Sequence, residues 1–200
     1  MNVQLPEEAW SQATLPVSKG GLGLRPASEV ALAGYLSSVN ATTGIVQSLL
    51  PINVRGQQCK YYESALQEWK SHSGSVDLPQ NPIFQSEWDK PLYEVRFDQL
   101  LQSATTEAER ARLLAVSSES ASDWLHAIPM PSLGLHLDPM NLHIACGLRL
   151  GSNLCHPHEC NCGEMVEPKG RHGLKCKMAR GRKVRHDEVN QLIKRGLDQA

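Results

Sequence analysis

The chain has 200 residues, 40% of them hydrophobic and only 5% aromatic, which allows one ordinary domain with a small additional module. It has no run of about 18 apolar residues, and Met1 is followed by a polar, acidic segment, so neither a membrane-spanning helix nor a secretory signal peptide is predicted. We therefore expect an intracellular protein, nuclear or cytoplasmic, that is neither secreted nor bound to a membrane.

The formal net charge of -1 conceals two parts of opposite charge. Residues 1–168 carry 10 Lys and Arg against 18 Asp and Glu, whereas residues 169–200 carry 10 against 3. A basic block favours contact with a polyanion, because neutralised phosphates release their counterions. The alternatives are a solvated basic tail and a tail that folds onto the acidic part of the same protein.

Apolar residues recur at helical spacing in two segments of the first half of the chain. A helix is predicted from about residue 28 to Asn40, and a second over residues 57–72, where Tyr62 and Trp69 share one face. Three prolines and several Ser, Gly, Asn and Asp residues follow, and they predict a linker-like loop over about residues 71–91.

Helical spacing resumes after this loop. Residues 93–103 and 105–118 predict two helices joined by a turn, an arrangement that suits an antiparallel pair. Thr106 and Glu109 have the spacing of a capping box at the start of the second helix.

Two more helices are predicted near the C-terminus. Asp138 has the position of an N-cap, with Pro139 as the first residue of a helix over residues 139–151. Residues 184–200 predict a final amphipathic helix. The fold class should therefore be mainly α, with about six helices and essentially no sheet in the first 150 residues.

A cysteine and histidine motif precedes the final helix. It consists of Cys160-x-Cys162-Gly163 followed by His172-x3-Cys176. Three thiolates and one imidazole form the soft, tetrahedral donor set that zinc prefers. The intervening segment has too few apolar residues to fold by burial, so a bound metal would have to supply the folding free energy. The predicted site is structural, with no open position for catalysis.

The spacing leaves alternatives open. One residue separates Cys160 from Cys162, and in an extended strand the two side chains would point apart unless Gly163 allows a tight bend. Three neighbours lie close enough in sequence to replace one ligand: Cys155, His156 and His158. A cluster of reduced thiols without metal is a further alternative, whereas a disulfide framework is disfavoured in a protein that is not secreted.

These motifs predict a helical body over residues 1–150 and a second part over residues 151–200 with the zinc knuckle, a basic strip and the terminal helix. The basic strip comprises the eight cations predicted to contact phosphates: Lys169, Arg171, Lys175, Lys177, Arg180, Arg182, Lys183 and Arg185. In the sequence only Asp187 and Glu188 stand close to oppose them. Phosphate contacts of this kind predict nucleic-acid binding with low sequence specificity.

Candidates for acid–base catalysis are scattered. They are His126, His136, His143 and Glu159, and an isolated histidine near an apolar helix is more often a packed or solvated residue than a catalytic one. No pair of adjacent aspartates occurs that could hold two metal ions for phosphoryl transfer. We expect no enzymatic activity in isolation and no small-molecule substrate.

Several segments in a specific order resemble the C-terminal part of reverse transcriptase polyproteins from non-long-terminal-repeat retrotransposons. They are LPVSKGGLGLRPASEVALAGYLSSV, SASDWLHAIPMPSLGLHLDP, LHIACGLRLG, HECNCG, GRHGLKCK and GRKVRHDEVN. In that family a zinc knuckle that handles nucleic acid lies between the polymerase region and an endonuclease. The resemblance implies that Cys160, Cys162, His172 and Cys176 are the metal ligands here.

The chain departs from that family in two respects. No polymerase palm is recognisable, and the chain ends before an endonuclease would begin, so we expect a fragment of such a protein. The favoured function is a non-catalytic nucleic-acid-binding fragment. The alternatives are a decayed or domesticated fragment that acts only in protein–protein contacts, and a part of an RNA-directed DNA polymerase whose catalytic core is missing here.

Overall fold

The computed structural model describes residues 5–56, 60–133, 135–179 and 181–198, and over these residues the chain forms nine α-helices and one two-stranded sheet. The helices are α1 (Glu7–Thr14), α2 (Ala27–Leu49), α3 (Lys60–Ser73), α4 (Gln85–Ser103), α5 (Glu107–Val116), α6 (Asp123–His126), α7 (Pro139–Leu150), α8 (His172–Lys175) and α9 (Gly181–Asp198). The strands are β1 (His158–Glu159) and β2 (Met165–Val166). Short 3₁₀ helices cover Val17–Lys19, Ile52–Val54 and Pro131–Leu133.

The predicted mainly α fold is confirmed. The described residues among the first 150 contain no strand, and the six predicted helices correspond to α2, α3, α4, α5, α7 and α9. The three helices that were not predicted have eight residues or fewer, too short for a recognisable periodic pattern. None of the described helices is long and apolar enough to cross a membrane.

The contacts between residues divide the chain into two compact units: unit 1 (Met1–His136) and unit 2 (Leu137–Ala200). The division lies before α7, whereas the sequence suggested a boundary at residue 150. Helix α7 belongs with the cysteine-rich segment because Gly147 lies directly against Leu154, where an added Cβ atom would be 2.2 Å from Leu154 Cδ2. Gly151 ends α7 in the left-handed conformation, with φ of 67°, and turns the chain back for this contact.

The predicted loop over residues 71–91 is wrong for its last seven residues. Helix α4 begins at Gln85 and continues through Pro91, although a proline inside a helix removes one backbone donor. The reason is Trp88, which is fully buried and whose indole Nε1 donates to Pro82 O at 2.7 Å. Burying this side chain outweighs the turn preference of the surrounding residues.

The predicted end at Asn40 of the helix that begins near residue 28 is also wrong, since α2 continues to Leu49. Asn40 is retained inside the helix because its Nδ2 donates to Leu36 O at 2.7 Å and to the Tyr62 hydroxyl at 3.1 Å. A side chain that the sequence marked as a helix end therefore joins α2 to α3 instead.

Two predicted caps are present. The Thr106 hydroxyl accepts a hydrogen bond from the Glu109 amide at 3.2 Å, and the Asp138 carboxylate accepts one from the Asn141 amide at 2.8 Å. Both bonds satisfy donors that a helix N-terminus leaves unpaired, so α5 and α7 begin where the sequence predicted.

The core of unit 1 forms where α2, α3 and α4 pack together. Its buried side chains are Ala33, Leu36, Trp69 and Trp88, and the two indole rings meet edge to face with centroids 4.9 Å apart. Trp69 Nε1 donates to Trp88 O at 2.8 Å, so the polar atom of this buried ring is satisfied. A second cluster of Leu15, Leu100 and Leu113 joins α4 and α5 to the end of α1.

A cavity of about 550 Å³ lies beside α2 and α4 in unit 1. Its walls pair each guanidinium with a carboxylate: Arg25 binds Asp89 through two hydrogen bonds of 2.7 and 2.5 Å, and Arg96 lies 2.6 Å from Glu29. These two ion pairs tie α2 and the segment before it to α4.

Replacing Trp69 by phenylalanine should lower the free energy of unfolding by about 1–3 kcal/mol, because the Trp88 carbonyl loses a buried donor. Urea denaturation followed by circular dichroism at the helical band measures this change. Trp10→Phe is the matched control, since Trp10 is 47% exposed and should cost little. Equal stability of the two variants would show that the buried indole hydrogen bond contributes nothing.

Candidate metal centre

The first two cysteines of the motif lie in a tight turn between β1 and β2. The strands pair antiparallel, with His158 opposite Val166 and Glu159 opposite Met165. In the turn the Gly163 amide donates to Cys160 O at 2.8 Å, and the Cys160 amide donates to Glu164 O at 2.9 Å. Gly163 has φ of 85°, the left-handed conformation that glycine adopts without strain. The bend that the spacing required is therefore present at the predicted residue.

The other two residues of the motif lie at the two ends of α8. His172 is its first residue, and the Cys176 amide donates to His172 O at 2.9 Å, so the two side chains stand one helical turn apart. The Glu167 carboxylate accepts a hydrogen bond from the His172 amide at 3.3 Å. Hydrogen bonds from its own amide and then from those of His172 and Arg171 hold the pKa of Glu167 below its ordinary value. Glu167 thus fixes the backbone from which the His172 ring projects.

The turn and α8 bring four ligand atoms together. The thiol sulfurs of Cys160, Cys162 and Cys176 and a ring nitrogen of His172 all lie within 4.8 Å of one another. The Cys160 and Cys176 sulfurs are 3.6 Å apart, and Cys162 Sγ is 3.3 Å from His172 Nε2. Around a tetrahedral zinc with Zn–S bonds of about 2.3 Å, sulfurs stand about 3.8 Å apart. These four residues could therefore hold a metal ion.

Ionisation of the thiols is uneven. The Cys162 amide, and after it the side chains of Cys176 and His172, lower the pKa of the Cys160 thiol to about 7. For Cys162, the Glu164 amide acts in the opposite sense, but desolvation and the nearby thiols of Cys160 and Cys176 raise its pKa. Ionisation of Cys160 near neutral pH therefore disfavours ionisation of Cys162, and a cation among the sulfurs would favour both thiolates.

Burial closes the cluster on the side of α8. His172 is 3% exposed and Cys176 is 5% exposed, whereas Cys160 and Cys162 are half-buried. The Met178 amide donates a hydrogen bond to Cys176 Sγ at 3.3 Å. Four protein donors around a metal ion would complete a tetrahedron and would leave no ligand position for a substrate, as in structural sites.

The alternative ligands lie outside this cluster. Cys155 Sγ is instead 3.5 Å from Glu167 O and 3.7 Å from Pro168 O, where the thiol donates weakly to backbone carbonyls. His156 is exposed, and His158 Nδ1 lies 2.9 Å from His156 O. Cys155 therefore helps to join two backbone segments, a role reinforced by the Leu154 amide, which donates to Pro168 O at 2.7 Å.

All five cysteines within the described residues are free thiols, so no disulfide framework holds this part of the chain. Cys146 lies on α7, where burial raises the pKa of its thiol, as expected for a packed, unreactive cysteine.

The structure shows the exposure of five of the eight side chains in the basic strip. Lys175 and Lys177 flank Cys176 and are exposed, as is Lys183 on α9, whereas Lys169 and Arg171 are half-buried beside Gly170. Arg180 lies outside the described residues. Arg182 and Arg185 lie on α9, but their side chains are outside the described part of the structure.

The strip is opposed by more acids than the sequence suggested. Besides Asp187 and Glu188, Glu164 and Glu167 lie in the same small module, and Lys175 is close enough to Glu167 to help lower its pKa. Sequence separation hid this relation, because β2 and α8 bring residues 164–167 back beside residues 172–176.

The scattered candidates for acid–base catalysis are not brought together. His126 ends α6 and His136 follows the third 3₁₀ helix, while His143 lies on α7 and Glu159 on β1. None of these four side chains lines the cavity of unit 1 or belongs to the ligand cluster.

Glu164 is the residue of the site that sequence reasoning missed. Its carboxylate lies 3.2 Å from His172 Nδ1, on the side of the ring opposite the thiols. An acidic residue directly after the Cys-x-Cys-Gly turn was the available signal, but the turn geometry had to be known before its reach to the ring could be inferred.

Comparison of the chain with protein-family models, with curated proteins and with solved structures finds no match. The retrotransposon resemblance therefore stays a prediction from the sequence, and the chemistry of the site has to be argued from its own geometry.

Cys176→Ser should abolish zinc binding, which we expect at about one equivalent for the unsubstituted chain, and should leave the helices of unit 1 folded. Residues 155–178 should lose their order at the same time, because few apolar contacts hold them. Native mass spectrometry measures the metal content, and amide exchange measures the order.

Cys155→Ser provides the matched control, since it removes a thiol of the same module that lies outside the cluster. It should retain zinc. Loss of zinc in Cys155→Ser together with its retention in Cys176→Ser would mean that the ligand set is wrong.

Proposed function

We propose that unit 2 is a nucleic-acid-binding module, in which a structural Zn²⁺ held by Cys160, Cys162, His172 and Cys176 orders a surface whose cations contact phosphates. The observation that carries the proposal is the position of the ligand cluster within the basic strip. Lys175 and Lys177 stand on either side of the buried ligand Cys176, so the metal and two exposed cations share one short segment. Ordering this segment around a metal would fix both cations without further packing.

Charge supports the same function. Unit 2 contains 11 Lys and Arg against 7 Asp and Glu, whereas unit 1 contains 9 against 14. Unit 2 therefore has more cations than acids even when Glu164 and Glu167 are counted. Released counterions make such a surface favourable for phosphate binding without any reading of bases.

The distribution of aromatic residues favours backbone contacts over base stacking. All ten Phe, Trp and Tyr residues of the chain precede residue 125, so unit 2 has none. Proteins that prefer single strands stack bases on aromatic rings, which contributes about 1–3 kcal/mol per base. Without such rings, unit 2 should bind phosphates with weak sequence discrimination and should bind a duplex at least as well as a single strand.

A second candidate function is contact with another protein. Helix α9 exposes an apolar stripe that a nucleic-acid contact would not require: Val189, Leu192, Ile193 and Leu197. A decayed or domesticated fragment could use this stripe alone. Salt dependence separates the two functions, because apolar contacts persist as salt rises whereas phosphate contacts weaken.

The origin in a non-long-terminal-repeat retrotransposon is proposed from the order of the sequence motifs. If it is correct, a polymerase core should precede this segment in the genome and an endonuclease should follow it. The genomic sequence on both sides decides this question independently of any binding measurement.

Binding to duplex should weaken steeply with salt. If about four cations contact phosphate, the slope of log affinity against log salt should be about -3.6, from about -0.9 per contact. Replacing Arg180, Arg182, Lys183 and Arg185 together by alanine should flatten this slope and leave the zinc content unchanged. Fluorescence anisotropy over a salt series measures both effects.

A control variant with the same loss of charge uses exposed cations of unit 1: Arg55, Lys60, Lys90 and Arg110. It should keep the slope of the unsubstituted chain. Binding that is indifferent to salt, or that both quadruple variants retain equally, would favour the protein-contact function instead.

A further inference from the structure

His172 has a different partner on each ring nitrogen. Its Nε2 is 3.3 Å from Cys162 Sγ, inside the ligand cluster, and its Nδ1 is 3.2 Å from Glu164 Oε2, outside it. The ring itself is buried, with 4% of the side chain exposed, whereas the Glu164 side chain is 70% exposed. The carboxylate thus reaches the buried ring from the solvent side.

A neutral imidazole can bind a metal only through the nitrogen that carries no proton. A carboxylate at Nδ1 favours the tautomer with the proton on that nitrogen, since a carboxylate can only accept a hydrogen bond. The lone pair of Nε2 is then directed at the three thiols. Carboxylates placed in this way also raise the basicity of the ligand nitrogen.

We infer that Glu164 is a positioning residue for the metal centre: its carboxylate accepts the Nδ1–H of His172 and holds the ring with Nε2 towards Cys160, Cys162 and Cys176. This inference rests on the proposed metal site. Together with Glu167, which binds the His172 backbone amide, Glu164 completes a division of roles in which one carboxylate fixes the backbone and the other fixes the ring.

The turn between the strands explains why Glu164 can serve this purpose. The Cys160 amide donates to Glu164 O, so the backbone of Glu164 is tied to the first ligand while its side chain faces the third. The residue therefore connects the two halves of the motif, which are otherwise separated by eight residues of chain between Gly163 and His172.

The test compares the full chain with the variants Glu164→Ala and Glu164→Gln. Zinc affinity is measured by competition with a chromophoric chelator, and the ring of His172 is followed by ¹H–¹⁵N NMR of the zinc-loaded protein. Glu164→Ala should weaken zinc binding by about 10- to 100-fold. It should also remove the downfield proton signal of Nδ1–H, because that proton would exchange freely with water.

Glu164→Gln should restore most of the affinity and the Nδ1–H signal, since the amide oxygen still accepts a hydrogen bond. Glu159→Ala is the charge-matched control: Glu159 is exposed on the neighbouring strand, and its loss should change neither readout. This control separates a specific contact with the ring from a general loss of negative charge near the metal.

Equal zinc affinity and an unchanged Nδ1–H signal in Glu164→Ala would overturn the inference while leaving the metal site intact. An equal loss of affinity in Glu159→Ala and Glu164→Ala would overturn it too, because the effect would then be one of charge alone. An unsubstituted chain that binds no zinc would refute the proposed metal site itself, and the role of Glu164 with it.

Discussion

The cysteine-rich part of unit 2 is organised by one constraint: two pairs of candidate metal ligands, separated along the chain, converge on a single point. The Cys160–Gly163 turn presents one pair and the single turn of α8 presents the other. Little apolar burial helps them, because Val166 and Cys176 are among the few buried side chains of this segment. The backbone contact between Leu154 and Pro168 and the close approach of Gly147 to Leu154 hold the surrounding chain in place. A metal ion at the point of convergence would supply the missing stabilisation.

Unit 1 is stabilised by different means. Its core is ordinary apolar burial, centred on Trp69 and Trp88, whose indole donors are both satisfied by backbone carbonyls. Two ion pairs around the cavity, Arg25 with Asp89 and Arg96 with Glu29, join α4 to α2 and to the segment before α2. Unit 1 offers no surplus of cations, whereas unit 2 combines a candidate metal site with a positive balance of charge. Any contact with a polyanion is expected from unit 2. The stability of unit 1 and the phosphate binding of unit 2 can therefore be tested separately.

Local signals of the sequence were reliable where the interaction was itself local. Thr106 and Asp138 cap α5 and α7 as predicted, because an N-cap bond joins residues only three positions apart. Local signals failed at Asn40, which was predicted to end a helix, and at Pro91, which was predicted to lie in a loop. Asn40 stays helical because its side chain forms a hydrogen bond with Tyr62. Pro91 is accommodated inside α4 because the burial of Trp88 stabilises that helix. Tyr62 lies on another helix, and Trp88 is buried against Ala33, Leu36 and Trp69 of α2 and α3, so no periodic pattern within one segment could reveal either contact.

The sequence by itself determined the helical class, the donor types and their spacing, the concentration of cations after residue 168, and the lack of aromatic rings in unit 2. It also indicated Gly163 as the place of the bend, since only a glycine there adopts a φ of 85° without strain. The tertiary structure decided which of the neighbouring donors converge: it directed Cys155 to backbone carbonyls and set Glu164 against the outer nitrogen of His172. The physical reason is that residue type and spacing fix what a side chain can bind, whereas the direction in which it points depends on the turn and helix that carry it.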